Sequence, residues 1–181
     1  MHKTVTRMRP AQTLLLLLLA GTASTQSDGF FVRDIGGGLG FDAESQVNFE
    51  SYEVSSTIAS PWAWKLGEKR HLRLDFEVGI GVLHGEGTTG GFARVAPLLD
   101  LSKDGFPVSL FATTGPVLLT EDKYDGFDVG GHFHFASAIG LKWHLHDGWS
   151  VSYRIQHLSN AGIANPNPGL DLHLFRLAHS F

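Results

Sequence analysis

An all-β fold of eight antiparallel strands, closed into a barrel that crosses a membrane, is what this sequence predicts. Three observations carry that prediction. Apolar and polar residues alternate with period 2 in several segments, most segments reach 10 residues or more, and turn signals recur between them in a chain with 22 glycines among 181 residues. Strands of that length cross a bilayer at a tilt, whereas soluble strands centre on about 5–6 residues.

The opening residues stand apart. Lys3, Arg7 and Arg9 precede the apolar run from Leu14 to Ala20, and small residues follow through Ala23 and Ser24. A basic start, a short apolar core and a small-residue exit describe a secretory leader, expected over residues 1–23. The run is too short to span a bilayer as a helix, which takes about 20 residues. The barrel is expected over residues 24–181.

Its strands are expected at roughly 28–38, 50–64, 71–83, 91–102, 107–119, 131–146, 149–159 and 170–181. The first runs into GGGLG at 36–40, which lacks the helix and Lys-Ser/Thr of a phosphate loop and reads as a flexible strand end. The second ends on Trp62 and Trp64. In the third, Leu72, Leu74, Phe76, Val78, Ile80 and Val82 share one face, and His71, Arg73, Asp75, Glu77, Gly79 and Gly81 the other. In the sixth, Phe133, Phe135, Ile139, Leu141, Trp143 and Leu145 oppose His132, His134, Lys142, His144 and His146. The seventh alternates Val151, Tyr153 and Ile155 with Ser152, Arg154 and Gln156. The eighth ends on Phe181, with Phe175 and Leu177 on its apolar face, as in the terminal aromatic strand of outer-membrane barrels.

Alternation alone does not say which face meets water, because a soluble barrel and a membrane barrel share it. Three further features favour lipid outside and a polar lumen inside. Strand length is one. The connections KLGEKR, SKDGF and HDG are short, as on a periplasmic side, while the other four are mostly longer. Trp62, Trp64, Trp143 and Trp149 all fall beside those short turns on the apolar face, as half of an interfacial aromatic girdle. The chain thus reads as an eight-stranded outer-membrane β-barrel, with no unpaired edge in lipid and a lumen that side chains fill. Inward Arg73, Asp75, Glu77, Arg94, Arg154 and Arg176 are expected to pair inside it.

Composition narrows the function. With no cysteine there is no disulfide scaffold, thiolate metal site or Cys nucleophile. A net charge of −4 offers no basic field for nucleic acid. The pairs His132/His134 and His144/His146 have a spacing that can bind zinc or copper, but they sit at opposite ends of one strand and read as lumenal hydrogen-bonding residues. No G-x-S-x-G elbow is present. No metal and no cofactor is expected.

One stretch carries chemistry: YRIQHLSNAGIANPNPGLD, residues 153–171. Continuing the parity of the seventh strand puts His157 and Ser159 on the lipid side at its outer end, where a polar group has no structural reason to face hydrocarbon. With the hairpin centred near Asn165, Asp171 pairs across from Ser159, and His173 across from His157. His157 then lies between a hydroxyl and a carboxylate, the order of nucleophile, base and orienting acid. The turn at Asn160, Ala161 and Gly162 can aim backbone amides at an oxyanion, and Asn160 can add its side-chain amide. His173 lies on the same face without an assigned role.

The segment HLSNAGIANPNPGLD, at the end of a small exported barrel, resembles the lipid A 3-O-deacylase family. The family pattern is a His-x-Ser-Asn at the end of the penultimate strand, a loop with Pro-Asn and Gly, and an acid after it. The resemblance implies an outer-membrane esterase that removes the 3-position acyl chain of lipid A, with His157 as base, Ser159 as nucleophile, Asn160 beside it and Asp171 as the acid. The family's acid is Glu. Asp171 is one methylene shorter, so either the backbones lie closer or the contact to His157 is weaker. The implied partners are lipid A in lipopolysaccharide and the membrane itself; a homodimer is compatible with this. Two other readings stay open: a non-catalytic barrel with a structural or ligand-binding role, and a soluble calyx with its apolar faces turned inward.

Overall fold

The computed structural model describes residues 29–43, 48–85 and 87–181, so the expected leader at 1–23 lies outside them. It has β1 (Phe31–Asp42), β2 (Glu50–Ala59), β3 (Ala63–Lys65), β4 (Arg70–Gly85), β5 (Thr88–Lys103) and β6 (Val108–Leu119). There follow β7 (Lys123–Tyr124), β8 (Phe127–Asp128), β9 (Phe133–His144), β10 (Trp149–Ser159) and β11 (Leu170–Ser180). Neighbours run in the order β2-β1-β11-β10-β9-β6-β5-β4-β3, and β2 also pairs with β4, which closes the sheet. All these pairings are antiparallel.

Eight strands make the wall, because β2 and β3 are two parts of one. Pro61 has no N–H to give the ladder, so the chain breaks there. Ser60 repairs the break: its N–H donates to Asp75 Oδ1 at 3.1 Å, and its hydroxyl donates to the Leu74 carbonyl. β7 and β8 form a two-stranded hairpin in the connection between β6 and β9.

Parity sorts the side chains as the alternation predicts. Ile80, Val82, Ile139, Leu141, Ile155 and Leu177 are exposed on the outer wall, with Trp62, Trp143 and Trp149 beside the short turns. Asp75, Glu77, Arg94, Arg154 and Arg176 are buried in the lumen. Arg94 grips Glu53 with Nε–Oε2 at 2.5 Å and Nη2–Oε1 at 2.7 Å, and reaches Glu77 at 2.5 Å. Arg154 meets Glu77 at 2.6 Å, and Arg176 meets Asp34 at 2.7 Å. Arg73 pairs with Asp100 at 3.4 Å, so each inward charge the sequence singled out has a partner.

Three features depart from the sequence reading. GGGLG is not a strand end but lies inside β1, where a Cβ on Gly36 would come within 2.9 Å of Arg176 Cζ; the glycines make room for inward side chains from β11. Between β4 and β5 the ladder continues to Gly85↔Thr88, so this outer connection is short rather than long. His84 Nδ1 and Thr89 Oγ1, 2.7 Å apart, help to zip it.

The lumen is also not polar throughout. Towards the outer end, Phe49, Leu83, Val117, Leu119, Leu158, Leu170, Leu172 and Leu174 form a buried apolar layer, closed by Tyr124 and Val129. These leucines follow the same inward parity as the charges, and the alternation does not distinguish an apolar lumen layer from a polar one. A cavity of about 20 Å³ lies between the two layers, room for roughly one water.

Candidate active site

β10 and β11 carry the candidate residues at their outer ends. The register differs from the expected one by two residues: Asp171 lies directly opposite His157, and His173 opposite Ile155. A shift of two keeps every side chain on its face. It arises because the 160–169 connection is not a symmetric turn but a loop folded around Asn160, with Gly169 in the left-handed region (φ 75°) just before β11.

The consequence for Asp171 is direct. Opposite residues bring their Cβ atoms to about 4.5–5.5 Å, which suits a short carboxylate. His157 Nδ1 and Asp171 Oδ1 are 2.7 Å apart. The shorter side chain of Asp171 reaches His157 from the directly opposite position on the neighbouring strand. The His157 ring also rests on Gly169, where a Cβ would lie 3.0 Å from its Cε1. The imidazole is 53 % exposed, so it is held by the carboxylate below and still open to a membrane-borne molecule.

Ser159 lies two residues beyond His157 on the same outward face, half-buried, and pairs with Phe135 of β9. His173 is engaged elsewhere: its Nδ1 lies 2.7 Å from the Tyr153 hydroxyl, and the two rings stack.

Asn160 is fully buried. Its Nδ2 lies 2.8 Å from the Gly130 carbonyl, 3.0 Å from that of Ala164 and 2.9 Å from that of Pro166. Its Oδ1 accepts from the Gly162 N–H at 2.8 Å, and its own N–H donates to Asn167 Oδ1 at 3.0 Å. The donors the sequence nominated on Asn160 and Gly162 are therefore spent within the loop, and Asn160 organises it rather than pointing an amide at Ser159. Gly130 makes this possible, since a Cβ there would overlap Pro166 O and Asn160 Nδ2.

Two residues were not visible in the sequence. Ser137 of β9 is directly opposite His157 on the side away from Asp171, and Thr114 of β6 is directly opposite Ser137. Their hydroxyls lie 2.9 Å apart on the outer wall. A polar row thus runs Asp171, His157, Ser137, Thr114 across four strands in otherwise apolar surroundings. Only the strand register could have revealed it.

The model of the family described as lipid A 3-O-deacylase (PagL) matches residues 50–180. The chain belongs to that family. His157, Ser159, Asn160, Gly162 and Asp171 all fall within the lipid A 3-O-deacylase match. The lipid A deacylase PagL of Bordetella bronchiseptica is 36% identical over 61 residues, or 34% of each chain, so the aligned part spans about a third of that relative. A crystal structure of the outer membrane enzyme PagL superposes with a TM-score of 0.70 at 19% identity, covering 82% of this chain and 99% of that one. Neisserial surface protein A gives a TM-score of 0.49 at 13% identity, over 88% and 99%. As a member of the lipid A 3-O-deacylase family, the chain is an outer-membrane β-barrel with its apolar face towards lipid, not a soluble calyx.

The geometry of Asn160 makes a testable statement about this barrel. Asn160→Ala removes the side chain that ties Gly130 to Gly162, Ala164 and Pro166 of the 160–169 loop and leaves buried carbonyls unpaired, at about 1–3 kcal/mol for an unsatisfied buried group. The expected result is a protease-sensitive 160–169 loop on a barrel that still folds, read by limited proteolysis and by heat-modifiable gel mobility.

Proposed function

We propose that this chain is a lipid A 3-O-deacylase working as a serine esterase, with Ser159 as nucleophile, His157 as base and Asp171 as orienting acid. The observation that carries it is the His157–Asp171 contact of 2.7 Å on the lipid-facing wall, beside Ser159. A carboxylate on Nδ1 fixes the tautomer that leaves Nε2 as acceptor. Nε2 then takes the Ser159 proton as Oγ attacks the ester carbonyl at the 3-position of the sugar. Collapse of the tetrahedral intermediate expels the sugar oxygen, which receives the proton back from the imidazolium. Water, activated by the same imidazole, releases the fatty acid from the acyl-enzyme and restores Ser159.

The oxyanion needs prepositioned donors, each worth roughly 10²–10³ in turnover. Asn160 and Gly162 serve here as scaffold. Ala161, whose N–H is unspent among the described residues and whose φ is 54°, is the backbone donor nearest Ser159 in the chain. The Nδ2 of Asn167, whose Oδ1 accepts the Asn160 N–H at 3.0 Å, is the second donor in this reading. The site's place at the outer end of the wall suits an amphiphile whose ester lies at the interface while its acyl chains stay in the apolar belt.

Mass spectrometry of lipid A from a Gram-negative host whose lipid A carries the 3-linked ester tests this. Expression of the chain is expected to remove one hydroxyacyl group, and the purified barrel to do the same in detergent. An intact 3-position in both settings, with folded protein present, would leave the non-catalytic barrel as the better account.

A further inference from the structure

Beyond Lys3, Arg7 and Arg9, the chain has eleven lysines and arginines, and seven of these are ion-paired. The four that lack a carboxylate partner among the described residues are Lys65, Lys69, Arg70 and Lys103. They are not scattered. Lys65 ends β3, Lys69 and Arg70 follow the next turn, and Lys103 ends β5. Leu66 N–H donates to Arg70 O at 2.9 Å and Asp104 N–H to Lys69 O at 2.8 Å, which binds the two turns into one corner. All four side chains are exposed.

Arg70 and Lys103 are direct cross-strand partners, sharing the outer face with Leu72 and Leu101. Like charges directly opposite each other are destabilising, so this pair calls for an anion that the chain does not supply. Of the nearby carboxylates, Asp104 is held by His71 Nε2 at 2.9 Å, and Glu68 is exposed in the turn. The corner therefore keeps an excess of positive charge. It lies at the short-turn, periplasmic end, beside Trp62 and Phe106, which are 45 % and 58 % exposed at the rim of the lipid-facing wall.

We propose that this corner binds the phosphate of an anionic phospholipid of the periplasmic leaflet, with Arg70, Lys103 and Lys69 around the headgroup. A lipid fits better than a soluble anion because the cations continue an apolar wall. Their stems can lie along that wall while the charges reach the phosphate level. Aromatic side chains at the same level are those that anchor to headgroups. The excess charge selects a lipid with net negative charge over a zwitterion, whose own amine already offsets its phosphate. This inference rests on membrane placement and not on the esterase reading.

The test is native mass spectrometry of the purified barrel in detergent, with phosphatidylglycerol and phosphatidylcholine in equal amounts. Wild type is expected to retain phosphatidylglycerol preferentially. The triple variant Lys69→Gln/Arg70→Gln/Lys103→Gln is expected to lose at least tenfold of that preference, on the order of fivefold per cation. Lys103→Gln alone, a milder change should the triple variant misfold, is expected to lose about threefold or more. Lys123→Gln, at the opposite end, should leave the preference unchanged. Equal retention of the two lipids by wild type overturns the proposal, as does a preference that survives the triple change. Displacement of the lipid by millimolar inorganic phosphate would assign the corner to a soluble anion instead.

Discussion

Ser159→Ala is expected to lower ester hydrolysis by at least roughly 10³-fold, the scale on which a triad nucleophile acts. Ser137→Ala is the necessary companion, because two serines flank His157 on its outward face. Ser137 stands directly across from it on β9 and continues the row from Asp171 through the imidazole. Ser159 stands two residues along the same strand, in the His-x-Ser spacing of the family. If Ser159 is the nucleophile, Ser137→Ala should stay within about tenfold of wild type, and the His157→Ala/Ser159→Ala pair should be no worse than either alone, since groups that act as a unit are not additive. Rates on purified lipid A in detergent, with each variant shown to fold by its heat-modifiable mobility, give the answer. The reverse pattern, with Ser137→Ala inactive and Ser159→Ala active, would transfer the nucleophile to β9 while keeping His157 and Asp171 in their roles.

The second large effect concerns the lumen. Glu77 lies between Arg94 at 2.5 Å and Arg154 at 2.6 Å, and all three side chains are at most 7% exposed. Glu77→Gln keeps the shape but removes a charge on which both guanidinium groups depend. Breaking a buried pair from one side costs about 3–5 kcal/mol, because the remaining charge is left uncompensated. The urea midpoint of the barrel should fall accordingly, by about 1 M or more at ordinary slopes. Lys123→Gln removes an exposed 3.7 Å pair with Asp128 and is expected to cost at most about 1 kcal/mol. Equal midpoints for the two variants would mean that the lumenal cluster is held by hydration rather than by its ion pairs.

Parity made most of the fold legible. Because side chains alternate with period 2, Val151 through Ser159 could be sorted into wall and lumen with no knowledge of neighbours, and the outward placement of His157 and Ser159 needed nothing more. What crosses between strands was harder. Register depends on how the 160–169 loop folds, and that depends on a buried Asn160 collecting carbonyls from its own loop and from Gly130, 30 residues away. No local pattern marks it. The loop bonds of Asn160 were hidden for the same reason: a polar residue beside Ser159 reads as a free donor until its burial and its partners are known. Ser137 and Thr114 had no motif at all, and acquire meaning only because Ser137 lies across from His157 and Thr114 across from Ser137.

The two layers of the lumen bear on what the cell risks by keeping this protein in its outer membrane. An ion moving along the barrel axis meets the apolar leucine and phenylalanine layer, where shedding its hydration is prohibitive. An apolar solute that passes that layer meets the arginine–glutamate lattice, where it finds no solvent to accept it. Each layer stops what the other would admit. The chemistry proposed for the outer wall therefore needs no opening through the middle of the same molecule, where toxic compounds could leak.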